Sequence, residues 1–303
     1  MQSTKKAGES DTAFFLRNVG MASFSACVAE IATIPMDTAK VRLQLQKTAA
    51  PGEKLRYNGL MGTVKTVAAE EGPLALFGGL SAGLQRQLIF AGLRIGLYVP
   101  VRDMITGPLA EGQFPTLIQK IETAMITGTI AITVANPTDL VKIKMQAQGA
   151  GKLQGIPPKY SGSIDCYGKI IKEGGVKNLW TGWGPNVMRN SIINAAELAS
   201  YDQYKQTVLE SKLLKDGIPC HLLCATMAGF TACCVGSPVD VLKTRIMNAT
   251  PGQYGGPLDV VYQIVKNEGF GAFYKGFVPN VARLAGWNCV MFLTLEQVKK
   301  RFS

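Results

Sequence analysis

Hydrophobic and polar positions alternate along this chain in long blocks. Apolar segments recur at residues 14–35, 80–102, 114–137, 185–205, 218–238 and 279–298. Each approaches the ~20 residues that an α-helix needs to cross the hydrocarbon core of a bilayer. The pattern predicts an all-α membrane protein with six transmembrane helices. None of the segments is free of charge: Glu30, Arg86, Arg94, Lys120, Glu122, Arg189, Glu197 and Arg283 fall inside them. Charges at that depth are costly against lipid and are expected to face a watery interior. In a soluble all-α protein the same residues would form buried ion pairs.

A second pattern marks where the apolar runs stop. PMDTAKVRLQ (Pro35 to Gln44), PTDLVKIKMQ (Pro137 to Gln146) and PVDVLKTRIM (Pro238 to Met247) lie about 100 residues apart, each with Asp two residues and Lys five residues after the Pro. Turn signals follow at Tyr57-Asn-Gly, Tyr160-Ser-Gly and Tyr254-Gly-Gly. Short amphipathic stretches then end at Glu71-Gly72, Glu173-Gly174 and Glu268-Gly269, with Gly in the helix-terminating place. Phe77-Gly-Gly, Trp180-Thr-Gly and Tyr274-Lys-Gly come next, and seven residues beyond the last Gly of each stand Arg86, Arg189 and Arg283. A repeat at fixed period is the signature of stacked equivalent units. The reading is a single domain over 1–303, built from repeats at 12–107, 114–209 and 217–303. Each repeat is a membrane helix, a basic loop with a short surface helix, and a second membrane helix, set about a pseudo-threefold axis.

Composition narrows the partners. The net charge of +11, with 47% hydrophobic residues and a mean hydropathy of +0.13, points to a membrane protein that meets anions. Nucleic acid is excluded as a partner, because no basic-aromatic module or zinc spacing is present. An enzyme is excluded too: the chain has one His, no Walker A Lys-Ser/Thr and no Cys/His nucleophile pairing. The seven cysteines lack framework spacing and read as reduced packing residues. No metal cofactor is expected. The long loops are rich in Lys and Arg and the short links are not, so the positive-inside tendency puts the loops on the inner side and both termini on the other. The surface helices start after glycines, where backbone N–H groups suit a lipid phosphate.

Proline should kink the odd-numbered spans, because it removes a helical hydrogen bond and clashes with the preceding turn. Three kinked helices converging at their inner ends would bring Asp37, Asp139 and Asp240 together with Lys40, Lys142 and Lys243 as a gate. The bland alternative is three local pairs at helix ends, each worth tenths of a kcal/mol. Arg86, Arg189 and Arg283 are symmetric, and guanidinium suits carboxylate or phosphate. Substrate chemistry is better sought where the repeats diverge. Eight residues beyond each Arg stand Arg94, Glu197 and Met291; five before each Pro stand Glu30, Ile132 and Cys233. Four after each Arg come Phe90, Ile193 and Trp287, and five after come Ala91, Asn194 and Asn288. Together they describe a basic cavity for a small anionic solute with two embedded carboxylates, Glu30 and Glu197. These acids would either exchange protons or neutralise a nearby Arg.

The triple P-x-[DE]-x-x-[KR] motif resembles that of the mitochondrial carrier family across the whole chain. Within it, IPMDTAKVRLQ, SAGLQRQ with LRIGLY, IINAAELASYD and SPVDVLKTR are most similar to the uncoupling-protein branch, with dicarboxylate and oxoglutarate carriers as neighbours. The resemblance implies a multi-pass protein of the inner mitochondrial membrane, surface helices on the matrix side and termini toward the intermembrane space. It implies a matrix gate braced by Gln44 and Gln146, with Met247 unable to serve as a third brace. It implies a cytoplasmic gate at Tyr201-Asp202…Lys205 and Leu295-Glu296…Lys299, weakened where Tyr98-Val99…Arg102 has lost its acid. Arg86, Arg189 and Arg283 match the arginines that hold purine nucleotide phosphates, an inhibitor there. Glu197 matches the pH-sensing acid, Glu30 the acid tied to proton transport, and Trp287 an aromatic in the cavity. Cardiolipin is implied as a bound lipid. The loop GAGKLQGIPPKY lacks the His pair of the thermogenic branch, which favours general anion exchange. The expected activity is exchange of dicarboxylate or phosphate by alternating access, with an accompanying proton leak, by a monomer or in association with a larger complex. The competing expectation is a carrier-derived structural subunit of a respiratory assembly, for which the losses at Val99 and Met247 speak.

Overall fold

A computed structural model describes residues 11–46, 55–107, 115–148, 158–211, 217–250, 253 and 255–302. Six long helices form three consecutive pairs with a short helix between the members of each pair, and no strand occurs among the described residues. The long helices are α1 (Asp11–Leu45), α3 (Leu80–Thr106), α4 (Leu117–Ala147), α6 (Trp183–Glu210), α7 (Ile218–Asn248) and α9 (Phe277–Phe302). The short ones are α2 (Gly59–Glu70), α5 (Ser163–Gly174) and α8 (Pro257–Glu268), each followed by a 3₁₀ turn at Pro73–Phe77, Val176–Trp180 or Phe270–Tyr274. The long helices pack in the order α1, α3, α4, α6, α7, α9, and α9 returns to α1. The result is a closed ring of three helix–short helix–helix units.

By length and hydropathy alone, Val19–Leu45 and Leu223–Asn248 qualify as membrane spans among the described residues. The other four long helices are interrupted by Arg86 and Arg94, by Lys120 and Glu122, by Arg189 and Glu197, and by Arg283.

The prolines do not end their helices. Pro35, Pro137 and Pro238 lie inside α1, α4 and α7, which continue to Leu45, Ala147 and Asn248. Pro100 likewise lies inside α3. A side chain within one turn of each repeat proline binds the 3₁₀ turn of the same repeat. Thr38 Oγ1 donates to the Leu76 carbonyl (2.8 Å), Asn136 Nδ2 to that of Leu179 (3.1 Å) and Ser237 Oγ to that of Phe273 (3.2 Å). These bonds hold the chain where proline has removed a backbone donor. Beyond the prolines, Val41, Leu140, Val141, Val241 and Leu242 are buried in clusters under the short helices. The helix therefore outlasts the apolar run.

The short helices lie along these extensions. Val67 of α2, Cys166 and Ile170 of α5, and Val260 and Ile264 of α8 are buried. Two of the three are also clamped by charge. Arg42 meets Glu71 at 2.9 Å with both side chains almost fully buried, and Arg245 meets both Glu268 oxygens at 2.5 and 2.9 Å. The corresponding residue of the second repeat is Lys144, and there Glu173 turns instead to Lys159 at 2.7 Å on the surface. Burial works to raise the Glu268 pKa, but hydrogen bonds and charge from Arg245 and Lys275 outweigh it and hold the carboxyl at about 2. Burial pushes the Cys166 thiol up to about 12. The terminating glycines take positive φ at Gly72 (94°) and Gly269 (74°). In the second repeat the helix runs through Gly174, and Gly175 takes the left-handed place (φ 74°). Tyr254 lies outside the described residues.

The last glycine of each Phe-Gly-Gly-type turn does two things at once. Gly79, Gly182 and Gly276 have φ of 79°, 75° and 82° and cap α3, α6 and α9. A Cβ at Gly79 would stand 2.9 Å from the Lys142 carbonyl oxygen, at Gly182 2.7 Å from Met247 Cγ, and at Gly276 3.0 Å from Gln44 Cγ. α3 thus starts against the C-terminal part of α4, α6 against that of α7 and α9 against that of α1, so the third repeat docks on the first.

Candidate functional site

Where α1, α4 and α7 converge, their Asp and Lys side chains meet across the ring rather than along one helix. Lys142 donates to Asp37 (2.5 Å), Lys243 to Asp139 (3.0 Å) and Lys40 to Asp240 (2.9 Å). The three bonds join α1 to α4, α4 to α7 and α7 to α1. Each carboxylate is buried, so a partner is required to offset its lost hydration.

A second cation meets the other oxygen of every one of these aspartates. Arg283 Nε lies 3.0 Å from Asp37 Oδ1, Arg86 Nε 2.5 Å from Asp139 Oδ1 and Arg189 Nε 2.5 Å from Asp240 Oδ1. The three arginines are therefore committed to the gate in this conformation rather than standing free above it. Asn186 and Asn280 complete the second and third corners. Asn186 Nδ2 donates to Asp139 Oδ2 (2.8 Å), Asn280 Nδ2 to Asp240 Oδ2 (3.1 Å), and Lys40 also reaches Asn280 Oδ1 (2.8 Å). Sequence reasoning passed over both asparagines. The available signal was their identical place, three residues before Arg189 and Arg283.

Above this floor lies a cavity of about 390 Å³ lined from all six long helices. Seven cations (Lys40, Arg86, Arg94, Lys142, Arg189, Lys243, Arg283) and five carboxylates (Glu30, Asp37, Asp139, Glu197, Asp240) line it, an excess of two positive charges. Arg86 and Arg94 both sit over the Phe90 ring, at 4.8 and 5.9 Å from its centre. Arg94 donates to Asn194 Oδ1 at 3.2 Å, which leaves Asn194 Nδ2 without an acceptor. Trp287 Nε1 is a second buried donor with no acceptor. A buried donor left unmade costs about 1–3 kcal/mol, which a ligand oxygen can recover.

Several expected positions need correction. Asn288 does not line the cavity; one residue on from Trp287, it is turned off the inward face. Glu30 lines the cavity but is also tied into the gate, for it is fully buried and accepts from Lys142 (2.5 Å) and Gln87 (2.8 Å). Gln44 accepts from Thr244 Oγ1 at 2.7 Å, joining α1 to α7. Gln146 Nε2 is buried without an acceptor. Met247 is fully buried against Gly182, so the place of a third brace is filled by packing. At the opposite end, Arg102 pairs with its neighbour Asp103 at 2.6 Å instead of reaching another helix. Asp202, Lys205 and Glu296 fall beyond the cavity lining, and the Lys299 side chain lies outside the described residues.

A six-helix ring in three equivalent units, floored by cyclic ion pairs and enclosing a basic cavity, has the form of a solute transporter. The family model described as "Mitochondrial carrier protein" matches residues 11–108, 114–212 and 215–303, and the chain belongs to that family. It is 52% identical over 292 residues to "Mitochondrial uncoupling protein 2" of Arabidopsis thaliana, covering 95% of this chain and 94% of that protein. It is 51% identical over 297 residues to "Mitochondrial uncoupling protein 1" of the same plant, covering 97% and 95%. "Mitochondrial brown fat uncoupling protein 1" of Ovis aries is 45% identical over 279 residues, covering 92% and 90%.

Proposed function

We propose that this protein exchanges small dianions, dicarboxylate or phosphate, across the mitochondrial inner membrane, with all six long helices spanning it. The observation that carries the proposal is the cavity's excess of two positive charges above a floor whose arginines are already paired. A dianion entering there neutralises the excess, meets the unpartnered donors of Asn194 and Trp287, and competes with Asp139, Asp240 and Asp37 for guanidinium. Each guanidinium it takes removes one tie from the closed end. Binding is thereby coupled to opening, as alternating access requires, since a ligand shifts an equilibrium only by its differential affinity for the two states. Cardiolipin at the short helices and a purine nucleotide in the cavity fit the same charge pattern.

The test is flux in proteoliposomes, native protein against Arg86→Gln. Labelled malate and phosphate exchange is read in parallel with fatty-acid-dependent proton conductance, with and without GTP. Exchange by the native protein that is lost in the variant supports the proposal. Nucleotide-sensitive proton conductance without exchange replaces it with an uncoupler. Neither flux, from folded protein, moves the reading to a structural subunit.

A further inference from the structure

The inner gate breaks threefold symmetry at one corner, and the break is built by two residues from different helices. Three residues before the repeat arginine stand Gly83, Asn186 and Asn280; five before the repeat proline stand Glu30, Ile132 and Cys233. At the second and third corners the Asn amide reaches the gate aspartate, and at the third its Oδ1 also takes a hydrogen bond from Lys40. At the first corner there is no Asn, and Glu30 Oε1 receives Lys142 instead. A Cβ built on Gly83 would stand 2.7 Å from Glu30 Oε1 and 3.4 Å from its Cγ. Gly83 is helical, with no positive φ, so the backbone does not demand glycine there. The space does. Gln87, one turn further along α3, donates to the second oxygen of Glu30 at 2.8 Å.

We infer that Gly83 and Gln87 are positioning residues that seat Glu30 as a further charged member of the gate, beside its three aspartates, three lysines and three arginines, locking α1 to α4 more firmly than the other two seams. Lys142 alone among the gate lysines holds two carboxylates, Asp37 and Glu30. A full negative charge takes the place that an amide oxygen fills beside Lys40, which adds the attraction of opposite charges to an ammonium hydrogen bond that both corners make. The α4–α7 and α7–α1 seams therefore part first, and the gate opens unevenly. This rests on the exchange reading for what passes through the gate, but not for the lock itself.

The experiment rebuilds the third corner in the first. Gly83→Asn, Glu30→Cys and the double variant are compared with the native protein, with two readouts. The first is thermal unfolding in detergent, which needs no substrate. Both single variants should lower the midpoint. The double should recover most of the loss, because the amide introduced by Gly83→Asn then finds Asp37 and Lys142 without a carboxylate in its way. Additive losses would overturn the coupling of Gly83 to Glu30. The second readout is phosphate exchange in oriented proteoliposomes. Loosening the closed inner gate depletes the outward-open state, so Glu30→Cys should raise the apparent KM from the outer face several-fold and lower it from the inner face. A change in the same direction on both faces would mean that Glu30 is merely structural and would overturn the gating role. Should the native protein exchange no phosphate or malate, the proposed function fails and the unfolding cycle alone decides the seating of Glu30.

Discussion

Arg86 Nε and Asp139 Oδ1 stand 2.5 Å apart, with the Phe90 ring beneath the same guanidinium at 4.8 Å, and Lys243 occupies the other oxygen of that carboxylate at 3.0 Å. The guanidinium is thus both floor of the cavity and lid on a gate acid. Lysine would keep the charge but neither the fork geometry nor the flat face that lies on Phe90. Arg86→Lys should cut exchange about tenfold or more and Arg86→Gln to background, while both variants unfold cooperatively. Equal rates for Arg86→Lys and native protein in a proteoliposome exchange assay would show that charge alone suffices.

Trp287 offers a cleaner probe of substrate contact. Its indole N–H lines the cavity with no acceptor. Trp287→Phe keeps an aromatic ring and removes one donor, worth about 1.5–3 kcal/mol when it meets a charged oxygen. The apparent KM for phosphate or malate should rise about tenfold or more, with the thermal midpoint unchanged or slightly raised. An unchanged KM would place the anion elsewhere.

The clamp between α1 and α2 makes either of its members costly to remove alone. Arg42 and Glu71 side chains are 3% and 1% exposed at 2.9 Å. Removing one member leaves the other charge buried, at a cost of about 3–5 kcal/mol. Glu71→Leu should lower the unfolding midpoint strongly, whereas Arg42→Met combined with Glu71→Leu should recover most of it. Intact stability of the single variant in a thermal scan would refute the clamp.

Acid should weaken the third repeat through Glu268. Its folded pKa of about 2 lies below the unfolded value of about 4.3, so its stabilising effect is fully present above the higher value. It is lost as pH falls from there toward 2. Midpoints measured across that window should drop less for Glu268→Gln than for the native protein. Parallel curves would show that Arg245 and Lys275 do not hold the carboxylate as argued.

Cys166 makes the opposite case. With its thiol raised to about 12 by burial under α5, it carries almost no thiolate at neutral pH. A maleimide at pH 7.5 should leave it unmodified until the protein is unfolded, as peptide mapping would show. Rapid labelling in the native state would mean that α5 lifts off its bed.

The repeat arithmetic of the sequence carried much of the architecture. The prolines, tyrosines, glycines and arginines at fixed offsets located the units, and the Asp and Lys after each Pro pointed to a ring. What the spacing could not convey was partner choice. Asp37 is three residues from Lys40 in sequence, yet its lysine is Lys142, because ring closure brings neighbouring helices nearer than the next turn of the same helix. Helix ends were also obscured, since an apolar run reports burial, and Asp37 to Gln44 is buried polar surface in a helix that continues. Asn288 was placed in the site by counting offsets, and a single step of helical rotation undid it. Gly83 was invisible for another reason: a glycine in a helix gives no sign of what fills the space it leaves.

The docking of Gly276 against Gln44 and the reach of Lys40 to Asp240 make the first helix depend on the last repeat. Asp37 finds Lys142 105 positions along the chain, but Lys40 finds Asp240 only 200 positions on, and Arg283 belongs to the last helix. Without the third repeat α1 would carry a lysine with no aspartate to neutralise it. Closure of the ring is therefore a property of the whole chain: a product truncated before the third repeat should keep an open seam and an unsatisfied charge.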